Sequence, residues 1–577
     1  MSLTYSVAFR GVDACPVEVQ CSLSPGLPAF SIVGLPDKAV SEAKERVRAA
    51  LASMAIAFPS KKITINQSPA DLPKEGSHFD LPIALSLLAE LSIVPADLIQ
   101  SVVSLGELSL NGKLVPVTGA LPAAMTAAEG EQLLLCPQAC GKEAAWVSGA
   151  RVIAAEDLGA VVRHFSGQTP IADATPGEVV TSPAAFDIAD VKGQEKAKRA
   201  LEIAAAGHHN VLMVGTPGSG KSMLAKRLPG ILPPLSPAEA LETSMVHSVA
   251  GLMEEGGISR APPFCDPHNS SSMAAIIGGG RMAKPGQVSL AHNGVLFLDE
   301  LPEFPRNVIE TLRQPVETGR VMIARANAHV SYPCRFMLVA AANPCKCGYM
   351  ADPARACARV PRCGEDYLGR ISGPLMDRFD LHVDVPPVSY TDLESPQSSE
   401  TSAKVGERVA LARDRQSARY STSPEVRTNA DVEGDKLAEV ATPETEGRDL
   451  LLRAAETFQL SARGYHRVLR VARTIADGLP RDLRRSQDER GHQHWNRDIG
   501  SLDRGGWTRK PDPSGNRTAR ERPDPPRGDS GRAAGLAGPM GVRPARSMGR
   551  TAWPAATAGG LTGSTHEHRP SREPLRS

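Results

Sequence analysis

Gly215-Thr216-Pro217-Gly218-Ser219-Gly220-Lys221-Ser222 is the stretch that decides the fold. The apolar run Asn210–Val214 before it reads as a short buried strand, and Met223–Leu228 after it reads as a helix. A glycine-rich turn between strand and helix lets backbone N–H groups and the helix N-terminus face a polyphosphate. In that reading Gly215, Thr216, Pro217, Gly218, Ser219 and Gly220 form the cradle for ATP. Lys221 reaches its β- and γ-phosphates, and Ser222 holds Mg²⁺. Further along, Gly294–Glu300 is an apolar strand that ends in two carboxylates. In a parallel α/β sheet such strand ends face the ligand crevice. Asp299 would complete the Mg²⁺ shell, and Glu300 would orient and deprotonate the attacking water. An accidental acidic cap on a buried strand is the bland alternative, and the cradle upstream argues against it. A third strand, Phe336–Ala342, runs into Asn343, placed to hydrogen-bond the γ-phosphate or the water. These segments together predict an NTPase core of α/β class.

Length and composition bound the rest. A chain of 577 residues predicts about two to four domains. Its 41% hydrophobic content is enough for real cores. No apolar run reaches about 18 residues, and the N-terminus lacks a charged-then-apolar leader pattern, so a soluble cytoplasmic protein is expected. Ten cysteines in that setting do not predict a disulfide framework. The net charge of +1 hides an asymmetry. Residues 478–577 hold 18 Arg and one Lys against 11 acidic residues, a surplus of eight cations.

That tail is rich in Gly, Pro and Arg, lacks helical or strand periodicity, and carries three of the four Trp. One reading is a disordered basic tail that touches nucleic acid. The preferred one is an out-of-frame translation of a GC-rich gene, because the periodic helix Tyr465–Ala476 stops abruptly at Asp477-Gly478. The tail is assigned no function.

Residues 1–165 alternate strands and helices. Tyr5–Phe9 and Val17–Cys21 alternate like paired strands, Phe30–Val33 leads into a helix, and Lys62–Ile65 is another strand. Val40, Ala43, Val47, Leu51 and Met54 share one face of that helix. Leu81–Leu91 is a second helix, and Leu108–Val117 a hairpin about Asn111-Gly112. Residues 166–186, with four prolines or glycines between Pro170 and Pro183, read as a linker. The remaining expected units are a core at 187–390, a connector and helical lid at 391–477, and the tail.

These segments, with Val288–Glu303, Ile371–Leu381, Gly34–Asp37 and Asp80–Ile83, resemble the bacterial ComM/YifB family over roughly residues 1–477. Its members are AAA+ ATPases related to the motor subunit of magnesium chelatase. The resemblance implies a P-loop AAA+ core behind an N-terminal Lon-protease-like (S5-like) α+β domain. It also implies a homo-oligomer, a hexameric ring, that acts on DNA as a branch-migration helicase or translocase in natural transformation. Carried over by residue, it makes Arg378 an arginine finger entering the neighbouring subunit's ATP site. The alternative is a local pair with Asp377 or Asp380. Arg463 matches a second sensor arginine reaching the γ-phosphate in cis, with Arg467 the competing candidate and solvated helix charges the alternative to both. Gly319–Ser331 resembles a hairpin that lines the pore in related motors, with Arg325 near its tip; an ordinary surface hairpin is the alternative.

Cys345, Cys347, Cys357 and Cys363 form a C-x-C-x₉-C-x₅-C cluster, which fits a structural tetrahedral Zn²⁺ site as well as it fits four free thiols. Where the family reads Arg-Pro-Phe-Arg-x-Pro-His-His, this chain has Ala261–Asn269, with Cys265 for a basic residue and Asn269 for the second His. Around Pro73–Asp80 the chain resembles the nucleophile loop of the Lon protease, but His78 holds the serine's position and Ser77 stands one residue early. Protease activity is therefore not expected. Beside the DNA motor, two other function classes stand: a chelatase-like protein-remodelling ATPase, and an inactive product of a frameshifted gene.

Overall fold

The computed structural model describes residues 1–180, 185–253, 255–280, 283–324, 329–350, 355–394, 400–423 and 425–478. Apart from Gly478, the tail lies outside the described residues, as does Arg325.

The N-terminal sheet has seven strands in the order Ala29–Val33, Lys62–Ser68, Asp13–Ser24, Ser2–Arg10, Val102–Ser104, Leu133–Pro137, Arg151–Ala155. Ser2–Arg10 and Asp13–Ser24 pair antiparallel, with Tyr5 opposite Glu18. One face of the sheet is covered by the helix Lys38–Ser53, whose Val40, Ala43, Val47, Ala50 and Leu51 are buried. Asp37 starts that helix by accepting the Val40 N–H at 2.8 Å, which satisfies one of its free donors. The second helix, Asp80–Glu90, is buried all round except at its last residue. Its Asp80 is held by Arg46 and by the Leu108 N–H at 3.0 Å, tying both helices to the short hairpin Glu107–Leu108 and Leu114–Val115.

The second sheet has five parallel strands in the order Phe264–Cys265, Val295–Leu298, Met337–Ala342, Val211–Val214, Leu381–Asp384. Every residue of Val295–Leu298 and Met337–Ala342 is buried. That is why these strands read as continuous apolar runs rather than alternating ones. Within the stretch expected to be linker, Val179–Val180 pairs with Ile258–Ser259. The hairpin strands Arg320–Ala324 and His329–Pro333 pair antiparallel.

The helices Ser402–Arg419, Gly434–Ala441, Thr445–Phe458 and Ala462–Gly478 lie beyond the second sheet in the chain. The last of them keeps its turn through the residue where periodicity stops. Asp477 is 3% exposed and accepts from Arg419, from Asn429 at 3.0 Å and from Arg473 at 3.2 Å. Gln416 donates to the Ala206 carbonyl at 2.9 Å, and Thr474 meets His209 at 2.8 Å. The helices therefore dock on Glu195–Gly207 and the turn after it. Among the described residues, no helix is long and apolar enough to cross a membrane.

Candidate active site

In a parallel sheet every strand's C-terminal end lies at the same edge. Here that edge carries the cradle after Val214, Asp299 and Glu300 after Leu298, and Asn343 after Ala342. The close fit explains one glycine. A Cβ on Gly215 would sit 2.1 Å from the Val385 carbonyl oxygen, so the first cradle residue can carry no side chain. Lys221 opens the following helix, Lys221–Ala225, two residues earlier than its apolar pattern suggests. Its ammonium donates to the carbonyls of Gly215 and Thr216 at 2.8 and 3.0 Å and to Asn343 Oδ1 at 3.3 Å. Burial lowers the pKa of this amine, while Asp299 and Glu300 oppose the shift. Ser222 Oγ donates to Asp299 Oδ2 at 2.5 Å. Two hard oxygens, one from the helix after the cradle and one from a strand end, thus meet at one point, the donor set that suits Mg²⁺.

Glu300 takes a left-handed backbone (φ 52°, ψ 47°), an uncommon conformation for a non-glycine residue. Its carboxylate receives Asn269 Nδ2 at 3.3 Å. Behind the cradle, Gln194, also left-handed at φ 59°, donates from its amide to the Ser219 and Pro386 carbonyls at 3.2 and 2.5 Å.

The arginines lie at the other edge. Arg378 and Asp380 immediately precede Leu381–Asp384, and Asn210 precedes Val211–Val214. Asn210 donates to the Arg378 carbonyl at 2.9 Å and accepts the Leu381 N–H at 3.0 Å. Arg378 pairs with Glu317 at 2.7 Å rather than with Asp377 or Asp380. The hydrogen bond from Arg378 holds the Glu317 carboxyl below its ordinary pKa, helped by the charge of Arg463. Arg467 pairs with Asp377 at 3.6 Å and donates to the Phe379 carbonyl. Arg378, Arg463, Arg467 and Arg470 line a cavity of about 690 Å³ that contains no cradle residue. The structure does not bring Arg463 or Arg467 to the cradle of its own chain. The helical region docks beneath the strands' N-terminal edge, so the reach in cis expected of Arg463 is not met here.

Comparison with known proteins agrees with this architecture. Residues 187–393 match the family described as magnesium chelatase, subunit ChlI; residues 17–139 match subunit ChlI of Mg-chelatase; residues 399–487 match the ChlI C-terminal family. The chain is 42% identical over 485 residues to the competence protein ComM of Haemophilus influenzae, covering 83% of this chain and 94% of that one. It is 40% identical over 478 residues to YifB of Escherichia coli, with 83% and 93% covered. The chain belongs to the magnesium chelatase-related ComM/YifB family. A more distant relative is the magnesium-chelatase 38 kDa subunit of Rhodobacter capsulatus, 26% identical over 227 residues, 36% of this chain and 58% of that one. The matched family is one of AAA+ ATPases, which implies ATP and Mg²⁺ as its ligands.

Within this family member three of the four cysteines also come together. Cys345, Cys347 and Cys363 place their sulfurs within 4.8 Å of one another. Cys357 lies close enough to influence both Cys347 and Cys363. The Cys347 thiol is lowered to about 6, first by Cys345 and then by the Tyr349 and Cys357 backbone N–H groups. Cys363 is raised to about 12, first by its bond with Cys357. Tetrahedral Zn–S bonds imply sulfurs about 3.8 Å apart; Cys345 and Cys347 stand at 3.0 Å, and all three sulfurs lie within 4.8 Å.

In the N-terminal domain, Ser77 donates to Glu107. His78 is buried, its Nε2 donating to the Val7 carbonyl at 2.9 Å. Lys74 is buried and donates to the Pro69 carbonyl.

Sequence reading did not assign Gln194, Glu317 or the partner of Asn269. Asn269 stood out as a departure from the family pattern, and only the fold shows that it faces Glu300. Gln194 and Glu317 carry no local pattern that points to a site.

Proposed function

We propose that the protein is a ring-forming, ATP-hydrolysing AAA+ motor whose active sites are completed between subunits and whose substrate is DNA. The observation that carries this reading is the division of the catalytic groups between opposite edges of one sheet. A strand of four residues spans about 13 Å, so the cradle and Arg378 serve different nucleotides. A head-to-tail ring sets one subunit's N-terminal edge against its neighbour's cradle.

In each site Lys221 and the cradle N–H groups bind and orient the phosphates. Ser222 and Asp299 would hold Mg²⁺, which when bound neutralises charge on the β- and γ-oxygens. Glu300 takes the proton of the attacking water, with one carboxylate oxygen held by Asn269. The Asn343 amide positions the water or the γ-phosphate beside Lys221. Arg378 and Arg463 approach from the neighbour and stabilise charge as the phosphoryl group leaves.

Kinship with a competence protein supports DNA as the substrate, as does the hairpin Arg320–Ala324 and His329–Pro333, whose Arg320 and Met322 side chains are exposed. Every group named lies within residues 187–478, so the proposal draws nothing from the tail. The test is ATP turnover with and without four-way DNA junctions, together with junction unwinding. Turnover indifferent to DNA would remove the DNA reading and favour the chelatase-like one, in which a protein partner is remodelled.

The domain limits at 165, 186, 390 and 477 are proposed to mark the functional units. Cys345, Cys347, Cys357 and Cys363 are proposed to hold a structural Zn²⁺; the convergence of three of these thiols, from two chain segments, supports this reading.

A further inference from the structure

We propose that the four-cysteine knuckle is a metal-controlled brace on the nucleotide site, so that Zn²⁺ at the thiols sets how tightly the cradle holds a triphosphate. The inference rests on the zinc reading above. Three contacts carry it. Asn343, which receives Lys221, is separated from the first thiol, Cys345, by Pro344 alone, and Cys345 is fully buried. Gly348, the residue after Cys347, packs directly on the cradle: with φ +84°, a Cβ there would lie 2.5 Å from Pro217 Cγ. Cys363 stands in the first turn of the helix Arg362–Leu368, and Arg370, just past that helix, pairs at 3.5 Å with Glu303, three residues after Glu300.

The knuckle therefore touches the cradle, the Asn343 strand end and the carboxylate strand end at once. Gly348 N–H bonds to the Cys345 carbonyl at 2.9 Å, and a Cβ on Gly364 would lie 3.0 Å from the Pro344 oxygen. Beside these contacts and the packing of Met350, whose Sδ lies 2.6 Å from where a Gly364 Cβ would sit, the sulfurs link the segment 345–348 to the helix that carries Cys363. A metal bound by deprotonated thiolates from both segments closes that link, and binding free energy becomes local folding free energy. Without it, Gly348 and Asn343 lose their fixed backing, and the cradle loses the wall against which Pro217 rests.

The test uses the full chain. Zinc is measured on purified protein, removed with an organomercurial and a chelator, and restored. Affinity for a fluorescent ATP analogue is followed at each stage. We expect about one equivalent of zinc, a loss of affinity of roughly tenfold or more on removal, and recovery on adding Zn²⁺. Gly348→Ala, which keeps all four thiols, should retain zinc and still weaken nucleotide binding. That variant guards against Cys347→Ser or Cys363→Ser simply failing to fold. Full zinc with nucleotide affinity unchanged by its removal overturns the brace and leaves the zinc site standing. Less than about 0.3 equivalents, with no uptake of added Zn²⁺, overturns the zinc reading and the brace with it.

Discussion

Replacing Arg378 by Ala tests the shared site most directly, because the structure sets both the size of the effect and the way to rescue it. The guanidinium is 13% exposed and bound to Glu317, which is 52% exposed. A pair with one half-exposed partner contributes at most about 1 kcal/mol, a factor of about five in rate. Glu317→Gln should therefore change ATP turnover by no more than about fivefold in either direction. An arginine stabilising the departing phosphoryl group accounts for roughly 10³–10⁵ in rate, about 4–7 kcal/mol. Arg378→Ala should therefore lose turnover by at least about 10³ and bind nucleotide normally. Lys221→Ala, which removes the ammonium from the cradle, should lose binding. Because cradle and arginine lie at opposite edges, the two dead variants should complement each other. In a random equal mixture about a quarter of head-to-tail interfaces join an intact cradle to an intact Arg378. Coupled-enzyme assays of the mixture should recover up to about that fraction of wild-type turnover. A mixture no more active than its parents would refute action across the interface. Arg378→Ala keeping most of its turnover would refute the finger itself.

Other outcomes follow from single contacts. Asn269→Ala removes the partly exposed donor to Glu300, worth about 1 kcal/mol; kcat should fall about fivefold with KM unchanged, and an unchanged kcat would remove Asn269 from the site. Asp477→Ala leaves the partly exposed Arg419 and Arg473 and the buried Asn429 without their carboxylate and should destabilise the C-terminal helices by about 1–3 kcal/mol, read as a lower denaturation midpoint of that unit. His78 is buried as the neutral ring, with its pKa lowered to about 4 from 6.5. The unfolded chain thus binds the proton more readily, and this contribution is complete above about pH 6.5 and is lost as pH falls towards 4. The N-terminal domain should lose about 2 kcal/mol of stability between pH 7 and pH 5 from this group alone. His78→Gln should flatten the urea-midpoint profile over that window, and an identical slope in the variant would refute the assignment.

Much of the site is local in the chain, and for that reason legible. Gly215–Ser222 works through consecutive backbone N–H groups, so its spacing states its geometry. Val295–Leu298 and Met337–Ala342 are buried on both faces, so each reads as an unbroken apolar run that stops at Asp299 or Asn343. The alternation in Ser2–Arg10 and the stripe Val40, Ala43, Val47 and Leu51 likewise place the first sheet and its helix. Arg463 shows the opposite case. Its helix is evident from periodicity, but which edge of the core that helix docks on depends on buried contacts such as Thr474 with His209 and Gln416 with Ala206, from residues far apart in sequence.

A phosphate cradle, one strand end with two carboxylates and four clustered cysteines are legible in the sequence alone, because each is written in residues close together along the chain. Tertiary structure alone decided that Arg378 and Arg463 face away from their own cradle, that Asn269 reaches Glu300, and that Gly348 rests on Pro217. Those relations depend on strand order and helix docking. Both are set by which distant surfaces bury one another, and no local spacing records that.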